Sequence, residues 1–544
     1  MSDMIRRTLL LLLAVTTSPL WAATPATPPD PKSPITVIEA WKDHVDQTVP
    51  LPPPVIELDN AKQLFVDDWL IETATGVKRT FFAVTKHLGN PLLVPEKPWE
   101  IPSVLLSGSV IYDPQRTEDR FRMWYLCYTP KHNARFEGVK SKEGCIAYAI
   151  SADGLHWTRP NLGLNLFQGS CENNIVVMGP YELPGVICDP RDPDPNRRYK
   201  AHARTSRGHT AYFSPDGIRW SDPQVMKLDG YDRSSIHWDP VRQNWFASTK
   251  SWYRTAPGAE IWRGRGYQAS DDFLNFQNQS IFLAGTEPNS CELCYALEPF
   301  YYESMYLGVW ARYRHEPDGR LDPQLAISRN GLLWERPNDE SLIPLTPLPP
   351  GFVRRKTAGS PETGVDAFAL GVPWDYANSN INILGPLRVN DELWFYYSGR
   401  SSDHRTSPQT GSIGLATMRL DGFASMNAEE EGTIVTRPLR LGDGPLRLNA
   451  DASKGEIRVE ILDEDQRPIE PFTAANAQPL TTNHLRHDVK WCGTSDLATL
   501  KGRTVRLRLT MRQAHMYSLW VGDELQWATP DTTTWQQESA GPMP

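Results

Sequence analysis

Beyond its first two dozen positions the chain has no run of about 20 apolar residues, so nothing there reads as a membrane-spanning helix. Positive charge is in deficit. Lys and Arg number 56 against 65 Asp and Glu, a formal net charge of -9. That balance argues against a nucleic-acid backbone as partner, although it leaves room for a local basic patch. Cysteine is sparse, with 7 in 544 residues, and the odd number leaves at least one unpaired within the chain. Cys291-x-x-Cys294 has no second CxxC and no HxxxH partner, which speaks against a zinc site. Cys127 and Cys145 fall on successive predicted strands, where a disulfide could join them; buried free thiols are the alternative. Gly 37 and Pro 47 show no G-X-Y period, which excludes collagen.

What is present points to a globular, strand-rich protein. Apolar residues make up 40% and charged residues 22%. The length suggests two to four domains. Trp 19 and Tyr 19, with many Pro-bearing turns, fit an all-β chain better than a helical one. Arg6 and Arg7 precede an apolar run from Leu9 to Val15, and Ala22 and Ala23 follow. This is the pattern of an export signal over 1–23, with a buried N-terminal helix as the plainer alternative and a twin-arginine signal as a variant. Residues 24–54 read as a Pro/Thr-rich linker. The expected location is periplasmic or extracellular.

One motif recurs. Ser151-Ala152-Asp153-Gly154-Leu155-His156-Trp157 is followed by Ser214-Pro215-Asp216-Gly217-Ile218-Arg219-Trp220. Ser270-Asp271-Asp272-Phe273 is a degenerate third copy, Ser328-Arg329-Asn330-Gly331 a fourth, and Asp421-Gly422-Phe423 a weak fifth. Asp/Asn-Gly supplies a tight turn with positive φ. Two short strands precede each copy, the first apolar and the second aromatic, as in Phe121–Tyr125 and Leu393–Tyr397. Asp-Pro often links them (Asp113, Asp189, Asp239), and there Asp is simply a good turn former. Short strands repeating about every 60 residues mean propeller blades. Five copies predict a five-bladed β-propeller over 55–430, with strands near Leu64–Val66 and Thr80–Val84 closing the ring. From 431 to 529 the alternation of Leu446/Leu448, Ile457/Val459/Ile461, Val505/Leu507/Leu509 and Tyr517/Leu519 predicts a β-sandwich. A disordered tail is expected over 530–544.

Leu64-Phe65-Val66-Asp67-Asp68-Trp69, His87-Leu88-Gly89-Asn90-Pro91, Pro98-Trp99-Glu100, and Ser107-Gly108-Ser109, together with the Asp-Gly-x-x-Trp repeat, resemble the five-bladed glycoside hydrolases of the family 32 and 43 type, in particular a family-32-like subgroup. The resemblance implies a propeller followed by a sandwich and a carbohydrate substrate. The chain departs from it in three places. Asn-Asp-Pro-Asn-Gly is absent, Arg191-Asp192-Pro193 lies in a hairpin rather than before an inner strand, and Glu292 follows Cys291 instead of preceding a cysteine. Fructosidase activity therefore does not carry over.

Glycoside cleavage needs two carboxyl groups, one protonated as acid and one ionised as base or nucleophile. Acids just upstream of each inner strand are the candidates: Glu100, Asp232, Glu292 and Asp375, with only Glu182 near that place in the second blade. Glu292 is taken as proton donor and Asp232 or Glu100 as base, with Asp375 at the substrate. Each has a plainer reading as a loop acceptor or a solvated charge. Asp67 and Asp68 point opposite ways if they lie on a strand. Trp99, Trp374 and Tyr376 abut these acids and offer sugar-stacking faces, against the commoner role of packing between blades. His87 and His404 sit in Gly/Asn/Ser-rich loops and are candidates for hydroxyl contacts. Arg263 and Arg265 could hold an anionic sugar or a phosphate. No redox cofactor and no metal are implied. The rivals are a propeller-type phosphorylase, a non-catalytic carbohydrate-binding propeller, and an interaction scaffold.

Overall fold

Short runs rich in aromatic and β-branched residues, broken by Asp, Asn, Gly and Pro, cannot sustain helices, and here they form antiparallel strands. The structure is a computed structural model and describes residues 37–39, 50–128, 144–180, 182–231, 233–254, 257–258, 262–283, 292–314, 319–352, 371–381, 385–404 and 410–525. The expected signal, most of the expected linker and the expected tail lie outside the described residues. So does Asp232, and of Glu292 only the backbone is described. Among the described residues there are strands, two three-residue 3-10 turns and no α-helix. No helix there is long and apolar enough to cross a membrane.

The strands follow one another as meanders. The first is Ser103–Tyr112, Phe121–Tyr128, Cys145–Ser151 and Ile175–Met178. The second is Glu182–Cys188, Tyr199–Thr205, Gly208–Ser214 and Gln224–Val225. The third is Ser235–Asp239, Asn244–Arg254, Trp262–Ser270 and Gln277–Leu283, with Val37–Glu39 added parallel to its second strand. An eight-stranded sheet joins two more. Glu292–Tyr302, Met305–Arg314 and Arg320–Ser328 form the fourth meander. The fifth is Asn378–Ile381 and Leu387–Val389, then Glu392–Arg400, Ser412–Arg419 and finally Thr85–Lys86 from near the N-terminus. One parallel pairing, Leu321 opposite Asn378, links the two.

The first strands lie side by side. Ser103–Tyr112 packs against Glu182–Cys188, which packs against Ser235–Asp239, which packs against Glu292–Tyr302; Asn378–Ile381 packs against Ser103–Tyr112. The repeated turns are the mortar. In the first copy Ser151 Oγ accepts from Gly154 N at 2.8 Å, and Asp153 Oδ1 accepts from the backbone N–H groups of Leu155 and His156 at 2.8 and 2.9 Å. Gly154, Gly217 and Gly331 take φ of 77°, 77° and 69°, as the motif predicts. In the third copy Phe273 itself adopts φ 68°, and its buried ring packs edge-on to Trp245 at 5.0 Å. Each turn is gripped by the meander before it. Trp124 Nε1 donates to Gly217 O at 2.6 Å, Arg197 Nη2 to Asp272 O at 3.1 Å, and Arg242 Nη2 to Asn330 O at 2.6 Å. The Tyr302 hydroxyl donates to Asp421 Oδ1 at 2.6 Å, and Tyr396 of the fifth meander donates to Gly154 O of the first at 2.7 Å. At the same end, in the hairpins between first and second strands, Asp113, Asp189 and Asp239 accept from the backbone two residues on, the turn-forming role expected of them.

Residues 56–81 depart from expectation. Gln63–Leu64 pairs with Thr504–Val521, and Lys78–Phe81 pairs with Ala424–Thr436. The fifth meander is completed instead by Thr85 and Lys86, opposite Thr417 and Ala416. These earlier strands join a ten-stranded sheet built along the 18-residue strand Thr504–Val521. Leu446, Leu448, Ile457, Val459, Ile461, Val505, Leu507, Leu509 and Leu519 are buried in one core, as the alternation predicts. Tyr517 is the exception: it is half-buried and packs on Phe82 and under the Arg419 guanidinium. Asp421 joins the two parts. It accepts from Ser518 Oγ and Asn449 Nδ2 of the ten-stranded sheet at 2.7 and 2.9 Å. Lys62, 0% exposed, lies 3.4 Å from it and also pairs with Glu303 and Glu524.

Candidate functional site

Antiparallel connectivity brings the start of every first strand to one end, together with the ends of second strands and the starts of third strands. At that end the third and fourth meanders meet. Arg233, just before Ser235–Asp239, has φ 56°, a conformation a non-glycine residue adopts only when its surroundings impose it. Its N–H donates to Glu182 Oε2 at 3.3 Å, its carbonyl accepts from Arg265 Nη2 at 2.8 Å, and its guanidinium donates to Glu298 Oε1 at 3.1 Å. Arg265 is 0% exposed and also donates to Ser248 O at 2.6 Å and to Tyr295 O at 3.5 Å. Burial, with Arg263 and Arg233 nearby, lowers its pKa to about 10. The Arg263 and Arg233 guanidinium carbons lie 4.8 and 5.9 Å from the Tyr295 ring centre.

Glu298 is 3% exposed, and its Oε2 is a buried oxygen with no hydrogen-bond partner. That oxygen faces His237 Nε2 at 3.9 Å, and His237 is itself bonded to Ser235 Oγ at 2.8 Å. Burial, then the Arg265 charge, pushes His237 down to about 3, so the imidazole is neutral at ordinary pH. A second buried pair lies in the neighbouring meander, His202 Nε2 to His209 Nδ1 at 2.9 Å. Burial holds His202 well below the usual histidine range, with His209 adding to the effect. Among the described residues no group of three His, Cys, Asp or Glu is placed to hold a metal ion.

Of the expected site acids, Glu100 and Asp375 are described with their side chains, and each is tied into its own meander. Glu100 is wholly buried and fully engaged. Its Oε1 accepts from the Tyr125 hydroxyl at 2.6 Å and Arg159 Nε at 2.7 Å. Its Oε2 accepts from the N–H groups of Glu96 and Lys97 and from Arg159 Nη2, at 2.9, 3.0 and 3.1 Å. No lone pair is left for a substrate or a water. Asp375 repeats the arrangement in the fifth meander: its Oδ2 accepts from Lys86 Nζ at 2.6 Å and the Tyr397 hydroxyl at 3.0 Å, while Oδ1 is buried without a partner. Both acids are tied to a tyrosine on a central strand and to a cation of their own meander. Trp99 is core, with Nε1 donating to Asn174 Oδ1 at 2.9 Å and its ring edge-on to Phe167. Trp374 lies on Gly399 and Gly414, where a Cβ would come within 2.6 and 2.7 Å of the indole, and it leans on Tyr397. His87 is half-buried and its Nδ1 accepts from Gly89 N at 3.1 Å. His404 is brought to the Arg233 end, edge-on between Tyr295 at 4.8 Å and Tyr313 at 5.1 Å. Glu292 begins the strand that carries Tyr295 and Glu298.

Sequence reasoning passed over Glu298, His237, Arg233 and Tyr295. Glu298 did leave a signal. It is a lone acid in the apolar run Tyr295–Tyr302, and a charge in such a run is seldom buried without purpose.

No protein-family model matches the chain, and no curated protein matches it. Similar solved structures include a β-1,2-mannobiose phosphorylase from Listeria innocua, at 13% identity and TM-score 0.38, covering 63% of this chain and 98% of that one. A family-32 β-fructofuranosidase from Bombyx mori is similar at 9% identity and TM-score 0.31, over 79% and 95% of the two chains. A xylan β-1,4-xylosidase from Bacillus halodurans is similar at 9% and TM-score 0.33, over 80% and 99%.

Proposed function

We propose that this chain is an exported glycoside hydrolase acting on an oligo- or polysaccharide at the end of the ring where the first strands begin. In this reading the five meanders are the blades of one β-propeller and the ten-stranded sheet is its C-terminal sandwich. The observation that carries it is the Arg233–Glu298 pair. It ties the residue just before the third meander's first strand to the seventh residue of the fourth meander's first strand, the strand that Glu292 begins, and so supports a reading in which the segments that bear Asp232 and Glu292 are neighbours. Glu292 is then the proton donor and Asp232 the base. Strain at Arg233, held from three sides, supports a fixed direction for the residue before it. His237, neutral at ordinary pH, adds no second counter-charge to Glu298 beside Arg233.

The test is a screen of oligo- and polysaccharides with wild type, Asp232→Asn, Glu292→Gln and the control Glu100→Gln. Both of the first two substitutions are expected to cut turnover by about a thousandfold. Equal turnover in wild type, Asp232→Asn and Glu292→Gln overturns the mechanism. A phosphorolytic reading has one observation of its own, the two guanidinium groups of Arg233 and Arg263 at the Tyr295 ring. Sugar phosphate formed on adding inorganic phosphate would select it over hydrolysis.

A further inference from the structure

Cys127 ends the second strand of the first meander and Cys145 begins the third, and they stand directly opposite each other in the antiparallel register. Opposed residues of an antiparallel pair have Cα atoms about 4.5 or 5.5 Å apart. Both spacings fall inside the roughly 4.4–6.8 Å window of a disulfide. Both side chains are fully buried, so no solvent competes for the sulfurs. Directly opposed residues of an antiparallel pair project to the same face, and both cysteines, free thiols in the structure, lie in one hydrophobic core, so the two side chains are neighbours. No other cysteine is so placed among the described residues: Cys188 and Cys294 are buried in other meanders, and Cys171 and Cys492 are exposed.

We propose that Cys127 and Cys145 are a disulfide site, closed as the chain folds in the presence of a disulfide oxidant. One thiolate attacks the oxidant's sulfur to give a mixed disulfide, and the other displaces it. A single S–S bond forms in the protein, two thiol protons leave, and the oxidant's disulfide is reduced to two thiols. The bridge clamps the connection 128–144 at its base, at the same end of the ring as the Arg233 group, and fixes the strand edge beside Tyr125 and Glu100. Timing follows from burial. Once the meander is packed, desolvation holds the Cys127 thiol well above its usual range, so almost no thiolate is available. Oxidation must therefore precede or accompany packing, and a folded dithiol form persists in oxidant.

The full chain is unfolded with reductant and refolded either with reduced glutathione alone or with a reduced/oxidised glutathione mixture. It is then alkylated under denaturing conditions and digested. The expected result in the mixture is a linked peptide pair carrying Cys127 and Cys145, and a chain with two fewer alkylated thiols. The oxidised form is expected to unfold at least tenfold more slowly in denaturant. A Cys127→Ala/Cys145→Ala variant is expected to show no difference between the two refolding conditions. Full alkylation of both residues after refolding in the mixture overturns the proposal, as does a linkage that joins either of them to Cys171 or Cys492. Should the double variant fail to fold, the peptide map of the wild type decides alone.

Discussion

Glu100, in the turn before the first meander's first strand, and Glu298, within the fourth's, are both buried carboxylates, and they differ in where their hydrogen bonds go. Glu100 receives five, from Tyr125, from Arg159 twice, and from two backbone N–H groups. Glu298 receives one from Arg233 and keeps an oxygen buried with no hydrogen bond. Five charge-assisted bonds over-determine a position, and such a carboxylate is a rivet. A single bond leaves unspent acceptor capacity in a place where water is excluded. Glu100 lies three residues before its strand and Glu298 is the seventh residue of its own, yet both are buried, so burial does not separate structure from chemistry. Satisfaction does. Asp375 falls between them, with two donors on one oxygen and none on the other.

The sharpest way to break this contrast is a matched pair of substitutions. Glu100→Gln leaves the nearly buried Arg159 with only the exposed Glu96 as counter-charge and is expected to cost about 3 kcal/mol of stability. Glu298→Gln keeps shape and one acceptor for Arg233, and is expected to cost about 1–2 kcal/mol. Its effect is expected in turnover, a loss of about a hundredfold as Arg233 relaxes. Urea unfolding and turnover on the best substrate of the screen measure both. Similar stability losses in the two variants would erase the distinction between rivet and site.

Legibility followed the range of the contacts. The repeated turns could be read because everything that makes them lies within about three residues: a Ser that accepts from the glycine N–H, an Asp or Asn that accepts two more, and a glycine at positive φ. Even the copy without glycine was readable, since Asp272 keeps the same two backbone bonds. The anchors were not readable. Glu100 meets Arg159, and Asp375 meets Lys86, across long stretches of chain. An acid before a strand looks the same whether such a cation arrives or not. Glu298 was hidden for a local reason. The fourth meander's first strand shifts register between Cys294 and Ala296, which turns over the faces of the residues beyond and defeats a count of two. Closure of the fifth meander by Thr85–Lys86 rather than by Thr80–Val84 is a slip of a few residues. It arises because Lys78–Phe81 has a better partner in the long strand Ala424–Thr436.

A fourth buried acid extends the comparison to the junction between the meanders and the ten-stranded sheet. Glu303, at φ 55°, sits beside Lys62 and Asp421. Burial raises its pKa to about 7, with Asp421 adding to the rise and Lys62 opposing it. A carboxyl raised in the folded state binds more protons there than in the unfolded chain between about pH 4.5 and 7. Stability is therefore expected to fall as pH rises through that window, by on the order of 1 kcal/mol. Glu303→Gln should flatten the slope, as read from urea midpoints at pH 5 and pH 7.5. A slope unchanged in the variant would place the titrating group elsewhere.

The smallest effect is expected at the turns, where the repeat supplies its own control. Asp272 and Asn330 make the same two backbone contacts, at 2.9 and 2.7 Å and at 2.9 and 2.8 Å, but only Asp272 titrates. Its pKa is lowered to about 2: burial opposes the shift, and the hydrogen bonds from Asn275 and Leu274 outweigh it. A depressed carboxylate contributes stability that is complete above the unfolded value near 3.9 and is lost as pH falls through the folded value. Asp272→Asn should therefore be slightly less stable than wild type at pH 7, by about half a kcal/mol or less because the group is exposed and screened. The gap should close between about pH 4 and pH 2. Thermal unfolding of the two proteins across that range measures it. A gap that stays constant would mean that the charge contributes nothing and that the turn is held by geometry alone, as it is around Asn330.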